Sequence, residues 1–327
     1  MAIDPRNLLA ALSADQAVSG SALAGRLGVT RAAVWKQIEL LRALGAPIEA
    51  ATGRGYRLVS PLELLDAARI AVELDASMRS RLGALDVHWQ IDSTNSELLR
   101  RADRGARDLQ VCLAETQSAG RGRRGRIWRS PLGGNIYLSV LRRFEQGMAA
   151  LSGLSLMVGV AVIQALTDCG IANIGLKWPN DVLADGRKLA GILVELGGEF
   201  LGPCHAVIGI GINLRLPAAE RAQIDQPAID LATLAPAGMP TRNRLSGRLL
   251  VRLIEALDRF AKQGFVPFRA EYARQDLLHG RAIRVIAAGQ ECEGIAAGVD
   301  ERGALIVRRG KTLTHYDSAE ISVRAAA

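Results

Sequence analysis

Seven residues, Gly120-Arg121-Gly122-Arg123-Arg124-Gly125-Arg126, constrain this chain more than any other stretch. They carry neither the apolar period of a helix nor that of a strand. Glycine lets the main chain approach a ligand closely. Arginine offers planar donors that grip phosphate in pairs and never lose their charge. The segment reads as a loop that becomes ordered over a polyanion. No Gly-Lys-Ser/Thr follows, so it is not a P-loop. Taken alone it is also legible as a solvated basic loop or a Gly-Arg tail. The flanks argue otherwise. Val111–Thr116 and Asn135–Leu141 both read as strands, so the loop joins two sheet elements inside a folded domain.

The charge balance points the same way. Lys and Arg number 41 against 33 Asp and Glu, a net charge of +8, which favours nucleic acid, nucleotides or acidic proteins as partners. Only five of the basic residues are lysines, so a placed lysine says more than a placed arginine. A length of 327 residues suggests two or three domains. The scattered Cys112, Cys169, Cys204 and Cys292 lack a zinc-site spacing and read as buried free thiols of a reducing compartment. The opening residues lack a signal-peptide pattern, and the apolar run Leu151–Leu166 is broken by Ser152, Ser155 and Gln164. We expect a cytoplasmic protein.

The first sixty residues predict three helices and a hairpin. Residues 6–14 and Ser19–Leu27 are the first two helices; Thr30 caps the third, Arg31–Leu44, which Gly45 closes. Val34, Ile38 and Leu41 mark its inner face, Ala32, Lys36 and Glu39 its outer face, with Arg31 and Trp35 at the border. A hairpin over 47–59 turns at Gly53-Arg54-Gly55. This is the order of a winged helix-turn-helix, with Thr30, Arg31, Lys36 and Arg54 as candidate DNA contacts. A helical protein-binding module has the same pattern.

Pro61 to about Leu74 reads as a helical link. A strand, Val87–Asp92, then runs into Ser93-Thr94-Asn95-Ser96-Glu97. The Thr94–Glu97 spacing matches a capping box, so these polar groups either cap a helix or bind a polar head group at its start. Residues 151–167 predict a buried helix. Ile174–Leu183 and Arg187–Leu196 predict a hairpin across Asp185-Gly186. In Ala206–Asn213 the isoleucines alternate with Gly209, Gly211 and Asn213, a face suited to a ligand floor or to a tightly packed helix. Residues 214–240 read as irregular. Leu245–Phe260 and a segment through Tyr272 read as helices. From Arg281 the period becomes two, with turns at Gly289, Gly303 and Gly310, which predicts a small five-stranded barrel.

Five motifs in order resemble the biotin protein ligase family: Asp92-Ser-Thr-Asn95, Glu115-Thr-Gln-Ser-Ala-Gly-Arg-Gly-Arg-Arg-Gly-Arg-Ile-Trp128, Lys177-Trp-Pro-Asn-Asp181, Arg187-Lys-Leu-Ala-Gly-Ile-Leu-Val-Glu195 and Gly209-Ile-Gly-Ile-Asn213. Glu320-Ile-Ser-Val-Arg324 matches more weakly. With the N-terminal module, the chain is similar to the family's bifunctional ligase and biotin-operon repressor members. The resemblance implies an α+β chain in three parts. These are a winged helix-turn-helix over 1–63, a class II synthetase-like ligase domain of biotin/lipoate type over 64–272, and an SH3-like barrel over 273–327. It also implies that biotin is adenylated by ATP with Mg²⁺ and passed to a lysine of a biotin carboxyl carrier protein. It implies biotinyl-AMP as corepressor on operator DNA. Because one recognition helix reads only a half-site, we also expect a homodimer on adenylate binding, formed when biotinyl-AMP orders the Gly-Arg loop beside a sheet edge.

By the family pattern Ser93, Thr94, Asn95, Gln117, Gly120, Arg121, Gly122, Arg123, Lys188 and Gly191 hold biotin, Gly191 by leaving room for its ring. Lys188, with Arg121 and Arg123, is catalytic and bridges the biotin carboxyl and the α-phosphate. Arg124, Arg126, Trp128, Asn180, Asp181 and Asn213 serve the nucleotide, with Trp128 stacking on adenine and Mg²⁺ near Asp181. A lipoate-type ligase shares the expected fold and chemistry. A ligand-sensing repressor without ligase activity shares the DNA-binding module.

Overall fold

The computed structural model describes residues 3–287, 290–317 and 321–325; the expected turn at Gly289 and the motif residue Glu320 lie outside them. The N-terminal module contains α1 (Pro5–Ala10), α2 (Gly20–Leu27), α3 (Arg31–Ala43), β1 (Ile48–Ala51) and β2 (Gly55–Leu58). Helix α1 stops short of residue 14 because the Ser13 carbonyl accepts from Leu58 N–H (2.8 Å), which ties the chain to the hairpin instead. Ser19 and Thr30 cap α2 and α3 by accepting from the backbone N–H groups of Ala22 and Ala33. Val34, Ile38 and Leu41 are buried. Trp35 is not a border residue: at 59% exposure it stands on the outer face. Gly53 and Gly55 take positive φ on either side of the exposed Arg54, as a tight hairpin tip requires.

The link differs from the expectation. Residues 61–66 are not helical, and α4 (Ala67–Ala71) starts only beyond the Asp66 cap. The cause is tertiary. Leu65 N–H donates to Glu115 Oε1 (2.5 Å) and Asp66 N–H to Asn243 Oδ1 (2.7 Å), so side chains from distant elements claim the donors. A further short helix, α5 (Ala76–Arg81), follows under an Asp75 cap.

The central unit contains β3 (Ala84–Ile91), α6 (Thr94–Asp103), β4 (Gln110–Gln117), β5 (Asn135–Phe144), α7 (Leu154–Asp168), β6 (Ile174–Lys177), β7 (Asp181–Ala184), β8 (Arg187–Gly198) and β9 (Cys204–Asn213). The strands form one seven-stranded sheet in the order β3-β4-β5-β9-β8-β7-β6; β3 pairs parallel with β4 and the other neighbours are antiparallel. The run Ile174–Leu183 is therefore two strands, not one. It folds back at Trp178-Pro179-Asn180, where the Trp178–Pro179 bond is cis and proline has no N–H to continue a ladder. The Asp185-Gly186 turn joins β7 to β8 as read, with both residues at positive φ.

After β9, residues 214–240 are irregular apart from α8 (Ala218–Arg221) and α9 (Leu231–Leu234). Helix α10 (Arg242–Gln263) begins before its apolar period because its first residues, Arg242 and Asn243, are polar yet buried. Helix α11 (Arg269–Gln275) follows. Helices α7 and α10 bury one face of the sheet in the main core, which takes in Ile208, Ile210 and Ile212; Leu98 and Ala102 of α6 pack on the opposite face with Cys112, Leu141 and Val207. The last strands, β10 (Ala282–Ala287), β11 (Gln290–Val299), β12 (Leu305–Arg309), β13 (Thr312–Tyr316) and β14 (Ile321–Ala325), form a five-stranded antiparallel sheet in the order β13-β12-β11-β10-β14.

A seam joins the first two units. Leu132, between the Gly-Arg loop and β5, is fully buried in the N-terminal core, and its N–H donates to Leu44 O (2.8 Å). Beside it a buried ion pair, Arg242–Glu115 at 2.6 Å with side chains 6% and 2% exposed, also holds the carbonyl of Glu63. The four cysteines are free; Cys112 and Cys204 are buried as read, whereas Cys169 and Cys292 are only half-buried. Among the described residues no helix is long and apolar enough to cross a membrane.

Candidate functional site

On the α6 side of the sheet lies a cavity of about 890 Å³, within the range of small-molecule sites. Its floor is β9, whose alternation explains the space. Gly209 and Gly211 face the cavity side while their isoleucine neighbours enter the core. A Cβ on Gly209 would lie 2.2 Å from Asn95 Oδ1, and one on Gly211 2.4 Å from the Trp128 ring. The two glycines admit different neighbours. Gly209 admits the start of a helix, and Gly211 admits an aromatic ring.

The Ser93–Glu97 segment does not act as a capping box. Thr94 is already helical, and the residue at the cap position, Ser93, makes no side-chain cap bond. The polar groups turn inward instead. Asn95 Nδ2 donates to Glu195 Oε2 (2.8 Å), and Asn95 Oδ1 lies 2.6 Å from Ser139 Oγ, itself 2.7 Å from Thr94 Oγ1. Ser139 has one proton for these two short contacts, so one is served with Thr94 as donor. Gln117 Oε1 accepts from Thr94 N–H (2.9 Å), and Gln117 Nε2 donates to Ser130 Oγ (3.1 Å). Just outside, Arg100 holds the Asp92 carboxyl down at about 2, well below its usual value.

The Gly-Arg loop leaves β4 and folds on itself. Residues Arg123–Gly125 make a single 3₁₀ turn with Arg124 at positive φ, and Gly122 N–H and Trp128 N–H donate to Arg126 O and Gly120 O. Arg121 pairs with Glu195 at 2.8 Å. Arg123 Nη1 reaches Asn180 Oδ1 at 3.3 Å, and burial, with the charge of Arg124 beside it, lowers the Arg123 pKa. At the far side Lys188 Nζ sits 2.6 Å from Asp181 Oδ1, with side chains only 14% and 16% exposed. Lys188 is therefore not a solvated hairpin lysine. It also lies over the Trp128 ring, 5.6 Å from its centroid.

Most residues expected at a ligand site line this one cavity: Ser93, Thr94, Asn95, Gln117, Arg121, Gly122, Arg123, Arg124, Arg126, Trp128, Asn180, Asp181, Lys188 and Gly191. Gly120 and Asn213 do not. A Cβ on Gly120 would meet Trp128 O at 2.5 Å, so Gly120 is needed for loop closure. Asn213 Nδ2 is turned away to Ile229 O (3.2 Å) and Lys188 O (3.4 Å), which makes it a brace behind Lys188. The room left by Gly191 is occupied: a Cβ there would sit 2.9 Å from Trp128 and 3.0 Å from Lys188. Thr30, Arg31, Lys36 and Arg54 lie apart from the cavity, all exposed on the N-terminal module.

Sequence reasoning missed Ser139, Ser130 and Glu195 as members of the polar network, and Gln223–Pro227 as a wall of the cavity. Ser139 was detectable as the one small polar side chain within the apolar run Ile136–Leu141. The wall had no signal, because its position depends on Pro227 O accepting from Lys188 N–H (2.8 Å).

Residues 88–213 match the biotin/lipoate A/B protein ligase family, residues 6–57 a helix-turn-helix domain, and residues 278–324 the biotin protein ligase C-terminal domain. The chain is 40% identical over 323 residues to the bifunctional ligase/repressor BirA of Salmonella typhimurium, covering 98% of each chain. It is 40% identical over 261 residues to the biotin--[acetyl-CoA-carboxylase] ligase of Mycobacterium tuberculosis, 76% of this chain and 94% of that one. The biotin protein ligase of Aquifex aeolicus, solved with biotin and ATP, superposes with a TM-score of 0.64 at 27% identity, covering 74% of this chain and 99% of that one.

Proposed function

The chain belongs to the bifunctional ligase/repressor members of the biotin protein ligase family, and we propose that it both biotinylates a carrier protein and represses transcription. The observation that carries the ligase reading is the convergence on one cavity of a cationic loop, the Lys188–Asp181 pair and the hydrogen-bonded polar side chains of Thr94, Asn95 and Gln117. The network of Thr94, Asn95, Gln117 and Ser139 suits the neutral ureido ring of biotin. The cations suit the anions that react.

In the first step a biotin carboxylate oxygen attacks the α-phosphorus of ATP. The bond to the bridging oxygen breaks, pyrophosphate leaves, and biotinyl-5′-AMP forms. Lys188, Arg121 and Arg123 stabilise charge that grows on the phosphate oxygens, so the work is positioning and electrostatics rather than proton abstraction. In the second step the neutral amine of a carrier lysine attacks the mixed-anhydride carbonyl; AMP leaves, an amide forms, and the amine loses its proton. Mg²⁺ fits as an ion held chiefly by ATP phosphates, since Asp181 and Asp225 are the carboxylates lining the cavity and Asp181 already pairs with Lys188. Bound there, it would neutralise phosphate charge.

The repressor activity is assigned to the exposed Thr30, Arg31, Lys36 and Arg54 face, with DNA as partner in a cytoplasmic setting and biotinyl-AMP promoting a homodimer. One recognition helix reads a half-site, which is the reason to expect two copies. The Gly-Arg loop leaves interior strands, not the sheet edges, which are β3 and β6. Dimerisation therefore needs more than loop ordering beside an edge. Sedimentation equilibrium with a non-hydrolysable adenylate analogue tests it; an unchanged association constant rejects it. Incubation with biotin, ATP and a carrier domain, read by intact mass, tests the ligase. A biotin-sized gain is expected, and gain only with lipoate would reassign the substrate.

A further inference from the structure

The hydrogen bonds under the cavity form one chain that starts and ends on the Gly-Arg loop. Arg121 Nη2 donates to Glu195 Oε2 at 2.8 Å, and the same oxygen accepts from Asn95 Nδ2 at 2.8 Å. From Asn95 the chain passes through Ser139, Thr94 and Gln117 to Ser130, which donates to Trp128 O (3.1 Å) at the loop's other end. Glu195 is its carboxylate link. The loop's own backbone bonds tie it to itself, not to the sheet. Its attachment to β8 at the Arg121 end comes from Glu195, 74 positions along the chain. Charge-assisted bonds of this kind are about twice as strong as neutral ones. Asn180, which receives Arg123 at 3.3 Å, is a neutral acceptor.

We propose that Glu195 is a positioning residue that holds Arg121, and with it the first arm of the Gly-Arg loop, over the cavity so that bound adenylate is retained. This rests on the reading that the cavity makes biotinyl-AMP. A mixed anhydride survives only where water is excluded, so retention is part of the reaction. The Arg121–Glu195 pair is partly exposed, 40% and 25%, and so remains open to competition by an entering carboxylate or phosphate. Glu195 keeps the guanidinium near the place where that anion arrives.

The experiment compares full-length wild type with Glu195→Gln, Arg121→Met and the double variant. Each is loaded with biotin and labelled ATP, then chased with unlabelled substrates; adenylate release, the KM for biotin and the kcat of adenylation are measured. Glu195→Gln is expected to speed release about tenfold and raise the biotin KM, with a smaller fall in the kcat of adenylation, because Arg121 both retains the adenylate and meets the reacting phosphate. In the Arg121→Met background the Glu195→Gln change should add nothing, since Glu195 acts through Arg121. Wild-type release from Glu195→Gln, or an effect undiminished without Arg121, overturns the proposal; the latter would assign Glu195 to Asn95. Should Glu195→Gln fail to fold, Arg121→Met alone decides, and release at the wild-type rate rejects the role. A wild-type enzyme that forms no adenylate defeats the functional reading itself, and this role with it.

Discussion

The cavity floor and the exposed basic side of the N-terminal module, proposed to face DNA, use polar residues in opposite ways. Along and beneath the cavity, Thr94, Asn95, Gln117, Ser139 and Glu195 are bonded to one another. On the N-terminal module, Lys36 and Arg54 stand exposed on an outer helix face and a hairpin tip. A small neutral ligand demands pre-set donors and acceptors, because an unpaired buried polar group is costly. A phosphate backbone needs cations that reach out, and gains from releasing counterions. Substitutions should therefore act on geometry in the first region and on charge count in the second.

Lys188→Ala should have the largest effect. Loss of one transition-state donor typically costs about 100- to 1,000-fold in kcat, read by biotin-dependent pyrophosphate exchange. The burial of the pair adds a second expectation. The single variant leaves Asp181 without its cation and should melt earlier, and adding Asp181→Asn should restore the melting temperature but not the activity. Exchange at the wild-type rate would remove Lys188 from the chemistry.

Next come the glycines. Gly211→Val places a side chain where Trp128 lies, an overpacking cost of about 1–3 kcal/mol. The expected reading is a higher KM for biotin and ATP with DNA binding unchanged. Gly25→Ala in α2 is the matched control: a Cβ there meets nothing within 4 Å, so alanine should stabilise the helix by up to about 1 kcal/mol. Equal effects from the two would abolish the contrast between the regions.

Arg54→Ala should be smaller and confined to DNA. Affinity should fall similarly for all sequences, and the slope of log K against log salt should drop by about one, as for a lost phosphate contact. Adenylation should not change. A changed KM for biotin would tie the hairpin tip to the cavity.

The smallest effect is expected at Asp92. Its folded pKa of about 2 lies below the ordinary value of 3.8, so the pair with Arg100 adds stability above pH 3.8 that is lost as pH falls toward 2. Both side chains are more than 40% exposed, so the contribution is about 1 kcal/mol or less. Arg100→Gln should flatten acid unfolding in that window, followed by circular dichroism, and lower stability at pH 7 by that same amount, about 1 kcal/mol or less.

What the sequence determined by itself was whatever depends on local period and turn chemistry. Val34, Ile38 and Leu41 announced the inner face of α3, Asp185-Gly186 the β7–β8 turn, and the alternation of β9 a face bare of side chains at Gly209 and Gly211. Tertiary structure alone decided what those elements meet. It turned Thr94 from a capping role into a buried bond, swung Asn213 behind Lys188, and drew residues 61–66 out of a helix through Glu115 and Asn243. It also set Glu195 against Arg121 across 74 positions. The reason is physical. Propensity and periodicity act within a few residues, whereas a buried donor takes whatever acceptor the packed fold brings within about 3 Å.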